Sequence, residues 1–138
     1  MPRIYFGHPI NTYNTDIEKF LLEKISETFP ALTIENPNRK HHRDGYTHWK
    51  ETMGSGMNYF FEVVLPRCSA GIFLPFRDGA WGAGVFGEAE FLAKRKLSIY
   101  QISPEGIIVA AYLETVRILS IEETTKRIRT ASGTLQPY

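Results

Sequence analysis

At 138 residues, the chain is long enough for one domain with a real core and too short for two. Sixteen basic against fifteen acidic residues leave a net charge of +1, so no global charge argues for a nucleic-acid polymer or a membrane surface as partner. The single cysteine, Cys68, excludes an internal disulfide and a Cys-rich zinc site; with no membrane-length apolar run and no signal-peptide pattern, the expectation is a cytoplasmic protein.

The segment RIYFGH (3–8) reads as a strand stopped by Gly7 and Pro9. TDIE (15–18) has the form of a capping box, and Ile17, Phe20, Leu21 and Ile25 follow at helical spacing, which predicts a helix over 16–28. Pro30 ends it, and ALTIEN (31–36) is a second strand. Strand, helix, strand in so short a span is a βαβ unit and favours a parallel sheet.

Residues 37–56 are polar and basic with no apolar period, and predict a long loop with at most a short helix near 46–52. MNYFFEVVLPRC (57–68) resumes helical patterning. AGIFLP (70–75) is apolar throughout, as a central parallel strand covered on both faces should be. A glycine-rich segment and a helix to about Arg95 follow, then the strand LSIYQI (97–102). GIIVAAYL (106–113) fits strand or helix, TVRILS (115–120) reads as a last strand, and SIEE (120–123) opens a closing helix. The sum is a single α/β domain over 1–138 in three layers, with four or five parallel strands in the order 2-1-3-4-5.

In such a sheet, ligands sit beyond the carboxyl ends of the strands where strand order reverses, here between strands 1 and 3. GHPINTYNT (7–15), PFRDGAWGAG (75–84) and the basic loop all leave the sheet at that edge. In GAWGAGVFGEAEFLAKRK (79–96), Val85, Ala89 and Leu92 form the stripe that faces the sheet, and Glu90 pairs with Lys94 four residues on. Glu88 has no helical counter-charge. At the start of a helix the dipole should keep its carboxylate ionised, as a nucleophile or substrate-hydroxyl acceptor requires; the alternative is an acid that stabilises its own helix.

His8, directly after strand 1, is a candidate for substrate contact or a turn residue bonded to its own loop. Arg39, Lys40, His41, His42 and Arg43 could grip a phosphate or form a solvated basic loop. His41, His42 and His48 lack a metal-site spacing, and no metal is expected. Cys68 reads as a small buried apolar side chain.

Taken together, RIYFGHPI (3–10), IENPN (34–38), MNYFFEVVLPRCSAGIFLPF (57–76) and GVFGEAEFLAKRKLSIY (84–100) resemble the nucleoside 2-deoxyribosyltransferase-like family. The resemblance covers residues 3–102 and rests on the order and spacing of these segments. It implies a flavodoxin-like domain that cleaves N-glycosidic bonds without a cofactor, acting on a small-molecule nucleoside or nucleotide and forming a homo-oligomer. Carried onto this chain, it makes Glu88 the nucleophile and Asp78 the residue that contacts or protonates the base. Tyr5 and Gly7 become pocket-lining positions, Asn58 stands where an acid often faces the base, and Trp81 is a stacking surface or lid.

Two departures bear on the chemistry. Ten positions separate Asp78 from Glu88 where the family has only a few, and Asn58 cannot act as acid or base. No match to the transferases' C-terminal asparagine occurs in 103–138, so hydrolysis is favoured over transfer. A non-catalytic nucleotide-binding or sensor module on the same fold is the competing expectation, and cleavage of a nicotinamide dinucleotide a third.

Overall fold

The computed structural model describes residues 2–138. Five strands form one sheet in the order β2-β1-β3-β4-β5: β1 (Arg3–Gly7), β2 (Thr33–Glu35), β3 (Ala70–Phe73), β4 (Ser98–Ile102) and β5 (Ile108–Ala110). The first four are parallel, with Tyr5 opposite Gly71 and Gly71 opposite Ile99, whereas β5 runs antiparallel to β4. This is the flavodoxin-like arrangement the sequence predicts, except that its last strand is reversed. The reason is local: only residues 103–107 join β4 to β5, too few for a crossover. Gly106 takes φ +87° in that connection, and Ser103 donates its amide to Ile107.

Strand alternation divides the core. Ile4, Phe6, Ile72 and Leu74 point to one face and pack with Leu21 and Ile25 of α1 (Asp16–Thr28). Tyr5 and Phe73 point to the other, with Val85, Ala89 and Leu92 of α4 (Ala83–Lys94) and Phe60, Val64 and Leu65. The apolar stripe predicted for α4 is therefore the buried one, and Glu90 meets Lys94 on its outer face at 3.6 Å. Cys68 is buried in the second cluster, where burial pushes its thiol up to about 12.

The largest difference from the sequence reading is at 37–56, which is a helix, α2 (Lys40–Met53), closed by Gly54 in the left-handed conformation. Its inner stripe is written in His42, Tyr46 and Trp49 rather than in aliphatic residues, so an aliphatic period does not reveal it. Gly45 completes that face, since a Cβ there would lie 2.4 Å from the Tyr59 ring. The following helical segment starts as α3 (Met57–Tyr59) and continues through a π turn (Phe60–Val64) and a 3-10 turn (Leu65–Arg67).

Residues 115–120 do not form a sixth strand. They contribute one bridge, Trp81 to Ile118, framed by bonds from the Trp81 amide to the Arg117 carbonyl and from the Leu119 amide to the Trp81 carbonyl. The closing helix α5 (Ile121–Ile128) carries the capping box read from the sequence, between Ser120 and Glu123. At α1 only half of that motif forms. Thr15 caps the Glu18 amide, but the Glu18 carboxylate turns inward to the Asn14 amide, His8 and Asn38.

Candidate functional site

A cavity of about 420 Å³ opens beyond the carboxyl ends of β1 and β3, in the size range of small-molecule sites. His8 and Tyr13 enter it from the segment after β1, and Gly82, Gly84 and Glu88 from the start of α4. Arg43 and Tyr46 of α2, Phe60 and Phe76 add a guanidinium and aromatic walls, and Thr124 and Ile128 of α5 close one side. The walls are largely apolar, and Glu88 is the one carboxylate among the lining residues.

Glu88 lies in the second turn of α4 and is only 8% exposed. The Tyr5 hydroxyl, buried completely beneath it on β1, donates to Glu88 Oε2. Gly7, two residues along the same strand face, is the space that admits the carboxylate. A Cβ there would lie 2.5 Å from the Phe73 ring and 3.3 Å from Glu88 Oε1.

The glycines before Glu88 serve the same end. Gly82 lets α5 approach, with Thr124 Cγ2 3.2 Å from where its Cβ would be. Thr124 Oγ1 accepts from the Ala83 amide at 2.9 Å, so α5 rather than a ligand takes that helix-end donor. At Gly84 a Cβ would meet nothing within 4 Å, which leaves the cavity open at that point.

The ionisation state of Glu88 differs from the sequence expectation. Burial pushes its carboxyl up to about 8, and the Tyr5 hydrogen bond only partly opposes this. A second-turn position gains little from the helix dipole, which acts mainly within the first turn, so desolvation wins. The group is paired and protonated near neutrality rather than free and ionised. Tyr13, in the same cavity, is raised by burial and by the charges of Glu88 and Glu18, and its phenol stays protonated.

Of the other residues singled out by sequence, His8 reaches the cavity with both nitrogens engaged. Its Nδ1 faces the Phe6 carbonyl at 3.0 Å and its Nε2 faces Glu18 at 2.8 Å, while the ring stacks on Phe6. Its side chain is fully buried between Phe6 and Tyr13 and offers the cavity no free proton. For Glu18, burial raises the carboxyl, but bonds from His8, the Asn14 amide and Asn38 outweigh it and hold the group below its usual range.

Five residues expected at the site do not line the cavity: Tyr5 and Gly7, which lie beneath Glu88 on β1 instead of facing a ligand, and Asp78, Asn58 and Trp81. Asp78 sits on an exposed turn and binds Arg127 at 2.7 and 2.8 Å, Arg117 at 2.5 Å and the Ala80 amide. The bond from Arg127 is the main cause of a carboxyl held far below the ordinary range. It clamps α5 to the sheet and is not positioned to protonate a base. Asn58 is exposed and is not among the residues that line the cavity. Trp81 is fully buried between Phe73 and Phe86, a core side chain and neither a lid nor a stacking surface.

From the basic segment, Arg43 alone lines this cavity. Lys40 pairs with Asp44 on the surface, and His42 turns inward to Glu35 and Tyr59. Tyr13 lies in the 7–15 segment assigned to the crevice from sequence, whereas sequence reasoning missed Phe60 and the whole α5 wall. Phe60 carries no signal beyond its aromatic character, and α5 lies beyond any segment assigned to the site.

No helix among the described residues is long and apolar enough to cross a membrane. Comparison with protein-family models, curated proteins and solved structures returns no match to this chain.

Proposed function

We propose that the protein hydrolyses the N-glycosidic bond of a nucleoside or nucleotide, with Glu88 as nucleophile. The observation that carries this reading is a single buried carboxyl, oriented by Tyr5, on the floor of an aromatic-walled cavity at the switch point of the sheet. The aromatic rings suit a flat base, and Arg43 at the rim supplies a cation for a phosphate.

A carboxylate that is costly to ionise in an empty apolar cavity becomes favourable when positive charge develops beside it. Loss of the base from a sugar builds such charge at C1′, so Glu88 favours the transition state over the ground state. In the reaction Glu88 first gives its proton to solvent, and the carboxylate attacks C1′ as the C1′–N bond breaks. The bonding pair leaves on the base nitrogen, which takes its proton from water. Tyr13, held protonated, can donate a hydrogen bond to the departing base. A second water then opens the glycosyl ester, placing its hydroxyl on C1′ and its proton on the hydroxide left by the first, and frees the Glu88 carboxylate to take back a proton from solvent.

The test is incubation with a panel of ribo- and deoxyribonucleosides and their monophosphates, with chromatography for free base. Base release that disappears in Glu88→Gln supports the reading; release that persists in that variant removes the mechanism. The competing reading, a nucleotide-binding sensor, is favoured by the protonated state of Glu88 at neutrality. Its signature is tight binding without turnover that Glu88→Gln leaves unaltered.

A further inference from the structure

We propose that Glu35, His41 and His42 form a binding site for a divalent transition-metal ion of the zinc class, apart from the cavity over Glu88 and independent of the function assigned to it. One ligand atom from each residue lies within 4.8 Å of the other two. Zinc bonds of roughly 2.0–2.1 Å in a tetrahedron put donor atoms roughly 3.3–3.5 Å apart. His42 Nε2 and Glu35 Oε2, now 2.8 Å apart, have to part slightly to admit an ion, and the His41 ring has to swing inward. His41 is exposed and free to do so.

The surroundings are those of a prepared site. The other nitrogen of His42, Nδ1, is held by the Tyr59 hydroxyl at 2.7 Å, which leaves Nε2 for a metal. Arg3 binds Glu35 Oε1 at 3.0 Å, which orients the carboxylate and leaves Oε2 as the donor. A hollow of about 80 Å³, lined by all three residues, has room for a water as the fourth ligand. Two imidazoles and one carboxylate suit zinc, copper or nickel rather than magnesium or calcium. Arg3 and Arg67 border the same hollow and oppose a dication, so the affinity is moderate.

The site joins the last residue of β2 to the first turn of α2. That helix carries Arg43, Tyr46 and Thr47 to the larger cavity. A bound ion therefore pins that wall to the sheet.

Cobalt(II) titration of the full chain tests the proposal. The expected result is a set of ligand-field bands that saturates at one equivalent and is displaced by zinc. His41→Ala, a surface change that leaves the fold intact, weakens binding by at least about tenfold, and His48→Ala does not. Zinc raises the melting temperature of the wild type and not of His41→Ala. Equal binding by wild type and His41→Ala overturns the proposal, as does failure to saturate below about 1 mM metal.

Discussion

Replacing Glu88 by glutamine tests the physical state of the site without reference to any substrate. The carboxyl, ordinarily near 4.5, is pushed up to about 8 by burial, so the folded chain holds a proton that the unfolded chain releases. Stability from this group is present below its unfolded value and is lost as pH rises through about 8. At about 1.4 kcal/mol per pH unit, the wild type loses about 4 kcal/mol between pH 5 and pH 9 from Glu88 alone. Glutamine has nearly the same shape, can accept the Tyr5 hydrogen bond and does not titrate. Urea unfolding of both proteins across that range, followed by fluorescence of the two tryptophans, should show curves that diverge. The variant should be the more stable at pH 9 by several kcal/mol and close to wild type at pH 5. Parallel profiles would mean that Glu88 is solvated in solution, and the account of the cavity would fail.

Tyr5→Phe removes the bond that lowers the Glu88 carboxyl, so the rise of kcat/KM with pH should move to higher pH; an unchanged or lower inflection counts against Tyr5 as the positioning residue. A Cβ at Gly84 meets nothing within 4 Å, and the position lines the cavity, so Gly84→Leu extends its side chain into that space. It should keep the wild-type melting temperature while abolishing nucleotide binding measured by calorimetry, and retained binding would place the ligand elsewhere. Gly7→Ala drives a methyl into the Phe73 ring and toward Glu88 and should cost about 1–3 kcal/mol in denaturant unfolding. Asp78→Ala breaks exposed pairs with Arg117 and Arg127, which are worth about 1 kcal/mol or less; base release should stay within a few-fold of wild type, and a collapse of turnover would restore a chemical role to Asp78.

The strand order was readable because each buried strand announces itself: AGIFLP is apolar throughout, and RIYFGH splits its side chains between two helical layers. Glu88 was readable for a related reason, since it follows the stripe of Val85, Ala89 and Leu92 around to the edge of the sheet. Its protonation state was not, because its burial arises only when β1, with Tyr5 and Gly7, is packed beneath α4 in the folded chain. The same limit hid α2, whose inner face is built from histidine, tyrosine and tryptophan. Asp78 and Trp81 look alike in sequence, both within a glycine-rich turn, yet one meets two arginines and the other disappears between Phe73 and Phe86.

The far end of the chain does more than finish the fold. Asn11 donates to the Arg127 and Gln136 carbonyls, and the Tyr138 hydroxyl donates to the Pro75 carbonyl at 2.6 Å, so the tail straps α5 over the mouth of the cavity. Tyr138 also packs against the cluster of Ile4, Ile72 and Ile102 on the sheet. A version of the protein cut after residue 120 would therefore lose the Thr124 and Ile128 wall of the cavity. In this molecule the strands and Tyr5 seat the carboxyl, and the last stretch of sequence closes one side of the space beside it.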